Sequence, residues 1–176
     1  MKHRQIRRQC YKLVRSLDLT HPFSVDDLSR QISQRRNKPI TLAPLTFPAG
    51  GPVGMLASTA TVDYVFYESN TTVIHQTHAI VHEFGHLLWG HESAEPLTDT
   101  GAGSLLPDDL DPTLIQHLLG RTQYSHPEEY AAEYFATQVL HVVYGAPSTD
   151  TARPQDMSSF VSRLERSLRP GRTRGQ

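Results

Sequence analysis

Cysteine is almost missing from this chain. Cys10 stands alone, so no intrachain disulfide can form and no metal site can be built on several thiolates. Long apolar runs are missing too: no stretch reaches the roughly 18 consecutive apolar residues of a membrane-spanning helix. The early basic residues Lys2, Arg4, Arg7 and Arg8 have no apolar segment behind them, because Ile6 and Val14 sit among Arg and Gln. That pattern predicts no secretory leader and a cytoplasmic protein. Net charge is small as well: Lys+Arg 17 against Asp+Glu 18 gives -1, so the chain as a whole is no polyanion binder. No internal repeat and no low-complexity tract stands out.

What is present supports one globular domain. The 176 residues are too few for two good ones, and 38% hydrophobic residues can bury a core. The predicted organisation is a single domain over 1–176, with a basic N-terminal helical segment (1–38), a core (39–145) and a C-terminal helix with a frayed tail (146–176). The charge is uneven. Residues 1–38 carry Lys2, Arg4, Arg7, Arg8, Lys12, Arg15, Arg30, Arg35, Arg36 and Lys38 against Asp18, Asp26 and Asp27, and Arg163 to Arg174 repeat the bias. Acidic residues therefore concentrate in the middle, where a divalent cation would want them. Six of the 10 histidines fall there too: His75, His78, His82, His86, His91 and His126.

Periodicity gives the order of elements. Residues 3–17 read as a basic amphipathic helix, and Ser24 caps a second that runs to about Gln34. Ile40–Phe47 alternates as a strand, Gly54–Thr61 and Asp63–Glu68 read as two more, the latter rich in Tyr64, Val65, Phe66 and Tyr67, and an extended piece reaches Ile74. The period then becomes helical from about Gln76 to Trp89, stopped by Gly90. Pro and Gly mark 92–112 as a loop. Helices are predicted over Thr113–Leu119, from Ser125 to about Tyr144, and over Gln155–Leu168. Helices, a small mainly antiparallel sheet and more helices make an α+β domain.

His82-Glu83-Phe84-Gly85-His86 is His-Glu-x-x-His inside a helix. Histidines four apart lie on one face, one turn apart, so both imidazoles can reach one ion. Glu83 is offset around the helix and can address a water on that ion. The pattern arises by chance in roughly 2–3% of chains of this composition, so further support is needed. A catalytic zinc needs a third protein ligand and an open position. A third histidine from the extended motif is excluded, because Trp89 and Glu92 occupy its glycine and histidine slots. A glutamate from a later helix fits. Ser125 and Glu128 form a capping box, which leaves Glu129 and Glu133 on one face with Ala132 and Ala136. Carboxylates beside alanines suit a close approach to a cation. Glu129 is taken as the ligand and Glu133 as the acceptor for the second ring N–H of a ligating histidine; the reverse assignment stays open.

Together these features resemble the ImmA/IrrE family of zinc metallopeptidases, which belongs with the thermolysin-like, glutamate-ligand zinc enzymes and has a zincin-like fold. The matching pieces are the basic N-terminal helical segment, the strand Tyr64-Val65-Phe66-Tyr67, the helix around His82 to His86, and Glu129 to Ala136. The similarity spans about 20–145. Where that family usually has Glu-Ala-Asp or Glu-Ala-Asn before Phe-Ala, this chain has Ala131-Ala132-Glu133, which keeps a carboxylate and lengthens it; Val139-Leu140-His141-Val142 replaces a usual Leu-Leu-Met-Pro. The resemblance implies an intracellular protein substrate, a DNA-binding helix-turn-helix repressor among the candidates, or a place in a toxin–antitoxin pair.

On this reading Zn2+ sits on His82, His86 and Glu129, Glu83 is the general base, and a further donor meets the developing oxyanion. His126, Tyr124, Tyr130, His91 and His141 are candidates for that donor, and the sequence does not rank them; His78 shares the face of His82. The loop 92–112 is a candidate lid. Two alternatives compete. A non-catalytic zinc module that docks to a transcription regulator would close the ligand shell with His91 or Glu133. A DNA-binding helix-turn-helix in residues 2–38 would place Asp26 and Asp27 against phosphate, so no direct nucleic-acid binding is expected. Oligomeric state is left open.

Overall fold

The computed structural model describes residues 3–19, 21–91 and 124–145. Contacts divide the chain into Met1–Val143 and Tyr144–Gln176; of the second unit only Tyr144 and Gly145 are described. The expected helices over Thr113–Leu119 and Gln155–Leu168, the loop 92–112 and the tail lie outside the described residues.

The elements run α1 (His3–Arg15), α2 (Val25–Arg36), β1 (Ile40–Leu45), β2 (Gly54–Ser58), β3 (Asp63–Glu68), α3 (Val73–Trp89) and α4 (His126–Tyr144). This is an α+β arrangement. Local chemistry explains most boundaries. The Ser24 side chain accepts from the Asp27 N–H to start α2, and Asn37, in the left-handed region, ends it. α1 buries Ile6, Cys10 and Val14 and leaves its bases exposed. Gly90 closes α3 at φ 66 with its N–H on the His86 and Leu87 carbonyls.

Two expectations need correction. The strands are ordered β1-β3-β2, with β1 parallel and β2 antiparallel to β3, so the sheet is mixed and not mainly antiparallel. Alternation reports which face a side chain takes but says nothing of strand direction. β3 is central, which agrees with Val65 and Phe66 both being fully buried. Pro44, which has no N–H to give, lies exposed on the edge strand β1. The second correction concerns the start of α3. Val73 and Ile74 are its first turn, not an extended piece, because the Thr72 side chain caps it by accepting from the His75 N–H. Both apolar residues are exposed there, so the Thr72 cap prevails over the strand preference of a β-branched pair.

Among the described elements α3 is central. It packs on β2, β3 and α2, and its buried residues run almost around the helix from Thr77 to Leu87. A buried charge cluster fixes its far end. Asp63, at 0% exposure, accepts from Arg36 Nε at 2.8 Å, Lys38 Nζ at 2.7 Å and Ser58 Oγ at 2.7 Å. Arg36 Nη1 also donates to the Leu87 carbonyl at 2.8 Å, which ties the end of α2 to the last turn of α3, next to His86.

Candidate metal centre

α3 and α4 meet where neither has side-chain bulk. A methyl built on Gly85 would lie 2.9 Å from Ala132 Cα and 3.2 Å from its Cβ and carbonyl oxygen. The alanine face of α4 is therefore pressed on α3 backbone, and this brings Glu129 over the His82/His86 pair. A glycine inside a helix costs about 1 kcal/mol relative to alanine, and that cost signals a packing reason that the sequence reading passed over. Gly85→Ala, which would stabilise an open helix by about that amount, is expected here to destabilise by about 1–2 kcal/mol through overpacking. Denaturant midpoints check the sign; a gain in stability would mean the helices are not apposed this tightly.

Three ligand atoms converge. His82 Nε2 and His86 Nε2 are 3.1 Å apart. Glu129 Oε2 is 3.4 Å from His82 Nε2, and its Oε1 is 3.9 Å from His86 Nε2. Tetrahedral zinc with bonds of about 2.0–2.1 Å holds its ligand atoms roughly 3.3 Å apart; the 3.1 and 3.4 Å separations lie near that value, and the 3.9 Å one runs to the other oxygen of the same carboxylate. His82, His86 and Glu129 thus form a group that could hold a metal ion. His86 is fully buried, while Glu129 is half exposed, so the site opens toward solvent on its carboxylate side.

The opposite nitrogens are occupied by other groups. His82 Nδ1 faces Glu133 Oε2 at 3.4 Å, and His86 Nδ1 faces His91 Nδ1 at 3.1 Å. Glu133 is therefore behind His82 and His91 behind His86, where each can fix a ring's tautomer. Glu133 Oε1 takes His78 Nε2 at 3.3 Å and Thr137 Oγ1 at 3.4 Å. His78 was expected only to share the face, and the backing role of His91 was not foreseen; neither follows from spacing along one helix.

Charge follows this geometry. Burial disfavours a proton on His82, but the Glu129 and Glu133 carboxylates outweigh it and push its pKa up to about 10. His86, desolvated and next to His82 and His91, is pushed down to about 3 and is neutral. Burial raises the Glu133 carboxyl, and its bonds to His78 and His82 more than reverse that, holding it well below the usual range. Glu83 is 6% exposed, and its pKa is pushed up to about 7 by burial, opposed by His82 and reinforced by Glu129. The carboxylates thus favour a positive charge at His82, while His86 offers a neutral ring beside it. Gly54 in β2 serves Glu83: a methyl there would sit 2.8 Å from Glu83 Oε1.

Among the donor candidates only Tyr124 and His91 touch the cluster. The Tyr124 ring stacks on His86 at 3.6 Å between centroids, 18° from parallel. Its hydroxyl is buried with no hydrogen-bond partner among the described residues, and burial together with the charges of Glu83 and Glu129 raises its pKa, so it stays protonated. His126 and His141 are exposed. Tyr130 is engaged by α1, accepting from Arg7 Nε at 2.8 Å and stacking on His3 at 4.2 Å. Glu128 accepts from the Ser125 N–H and Oγ, both at 2.7 Å, the carboxylate half of a capping box.

Compared with known protein families, curated proteins and solved structures, the chain finds no match. No described helix is long and apolar enough to cross a membrane.

Proposed function

We propose that the chain is a zinc-dependent endopeptidase of the ImmA/IrrE type, hydrolysing a peptide bond in an intracellular protein. The observation that carries this is the direction of the side chains: His82, His86 and Glu129 point three ligand atoms at one place while Glu133 and His91 occupy the far nitrogens. Three protein ligands among the described residues, with a buried carboxylate alongside, suit the open coordination position that a catalytic zinc needs. The alternative, a regulatory zinc module that docks to a transcription regulator, needs a fourth ligand; both residues considered for that part, His91 and Glu133, lie behind the rings.

Zinc held there supplies a Lewis acid for the scissile carbonyl and brings the pKa of a water toward about 7. The chain's own groups do the rest. Glu83 takes the proton of the attacking water and passes it to the leaving amine. Tyr124, whose buried hydroxyl has no partner among the described residues, donates to the oxygen on which negative charge develops. Glu133 and His91 keep the two imidazoles in register. A DNA-binding repressor as substrate comes from the family resemblance alone.

Metal analysis with a peptidase assay tests this. Purified chain is expected to carry about one zinc per molecule, to lose cleavage of a fluorogenic peptide library on chelation and to regain it with zinc. Glu129→Ala should keep the fold and weaken zinc binding at least a hundredfold, because a ligand is lost outright. A parent chain that neither carries nor rebinds a divalent ion would end the proposal; zinc retained without hydrolysis would favour the docking module.

A further inference from the structure

His78 is 4% exposed and lies on α3 one turn before His82. A buried imidazole needs a polar partner, and His78 Nε2 has Glu133 Oε1 at 3.3 Å. An ionised carboxylate can only accept, so Nε2 carries the hydrogen and donates. The same oxygen meets Thr137 Oγ1 at 3.4 Å. With Oε1 held from two sides, Oε2 is left for His82 Nδ1 at 3.4 Å. Two imidazoles of α3 thus share the two oxygens of one carboxylate from α4.

We infer that His78 is a positioning residue for the metal centre, pinning Glu133 so that His82 keeps its hydrogen on Nδ1 and presents the Nε2 lone pair to the ion. The inference rests on reading His82, His86 and Glu129 as a zinc site. Its physical basis is the freedom that Glu133 would otherwise have. The Glu133 side chain is 36% exposed, and an unanchored glutamate at a solvent boundary turns to water instead of holding one rotamer. Hydrogen bonds weaken steeply off line, so a carboxylate that wanders cannot fix a ring. His78 supplies the anchor from the same helix as the ring it serves, so α3 sets both the ligand and the group behind it. His75, a turn earlier, takes no part: its Nδ1 faces Thr71 Oγ1 at 3.2 Å.

Two amide variants separate positioning from bulk packing. In His78→Gln the side-chain nitrogen can sit where Nε2 does; in His78→Asn it reaches only as far as Nδ1. Zinc affinity of the full chain is measured by competition with a chromophoric chelator, and the visible spectrum of the cobalt-loaded chain reports the ligand field. His78→Gln is expected within about threefold of the parent with an unchanged spectrum, and His78→Asn roughly 10–100-fold weaker with a shifted one. Added to Glu133→Ala, His78→Asn should cost nothing more, because it acts through that carboxylate. Equal affinity in parent, Gln and Asn forms, equal losses in the two amides, or a fully additive loss in the double variant overturns the inference. A parent that binds neither zinc nor cobalt removes the metal centre itself, a failure distinguishable from these.

Discussion

Glu83→Gln is expected to lower kcat for peptide hydrolysis by about 10²–10⁴-fold while zinc content stays that of the parent. The amide matches the carboxylate in shape, so it fits against Gly54, where a methyl would already meet Glu83 Oε1 at 2.8 Å. It cannot take a proton near neutrality. It also removes a carboxyl whose charge burial disfavours, so the fold should not weaken. The pH profile adds a second readout. Burial pushes the Glu83 pKa up to about 7, and a dication at the neighbouring nitrogens would favour the carboxylate and bring it down. The base must be ionised to act. Activity should therefore fall as pH drops through a value at or below about 7, and the residual rate of Glu83→Gln should lack that limb. Hydrolysis at the parent rate by the amide variant would remove Glu83 from the chemistry and leave the metal reading standing.

The second large effect lies away from the metal. Asp63→Ala is expected to destabilise the fold by about 3 kcal/mol, the lower end for removing one partner of a buried ionic cluster. Asp63 is fully buried, whereas Arg36 and Lys38 keep 28% and 17% side-chain exposure, so the orphaned cations can turn partly to water and the upper end is not reached. The damage should still be felt at the site, because Arg36 also holds the Leu87 carbonyl at 2.8 Å in the turn that carries His86. Asp27→Ala is the control. Its partner Arg30 is one helical turn away and both side chains are exposed, so a change within about 0.5 kcal/mol is expected. Urea midpoints with an unchanged m-value report both. Equal effects at the two positions would show that the cluster is no clamp.

Much of the candidate site was legible because its parts are local patterns. Histidines four apart on a helix, and carboxylates four apart beside Ala132 and Ala136 on another, can each be read from one window of sequence, and the structure places them together. What brings the windows together was less visible. Gly85 against Ala132 and Gly54 against Glu83 are contacts between segments far apart in the chain, and a glycine discloses only that some neighbour is near. The roles of His78 and His91 depend on which nitrogen each ring offers, and no spacing encodes that. Strand direction escaped for a similar reason: β1 and β2 are both short segments readable as strands, yet they flank β3 in opposite senses, and nothing within either segment encodes which. The helical start at Val73 was lost to residue propensity, although Thr72 held the local clue.

The ligand set draws on helices that chain connectivity leaves well separated, with Ala132 riding directly on Gly85. An ion bound only by the assembled pair acts as a thermodynamic tether: every increment of its affinity is added to the free energy that keeps α4 seated on α3. Metal supply would then govern how firmly the molecule is closed as well as whether it can cut.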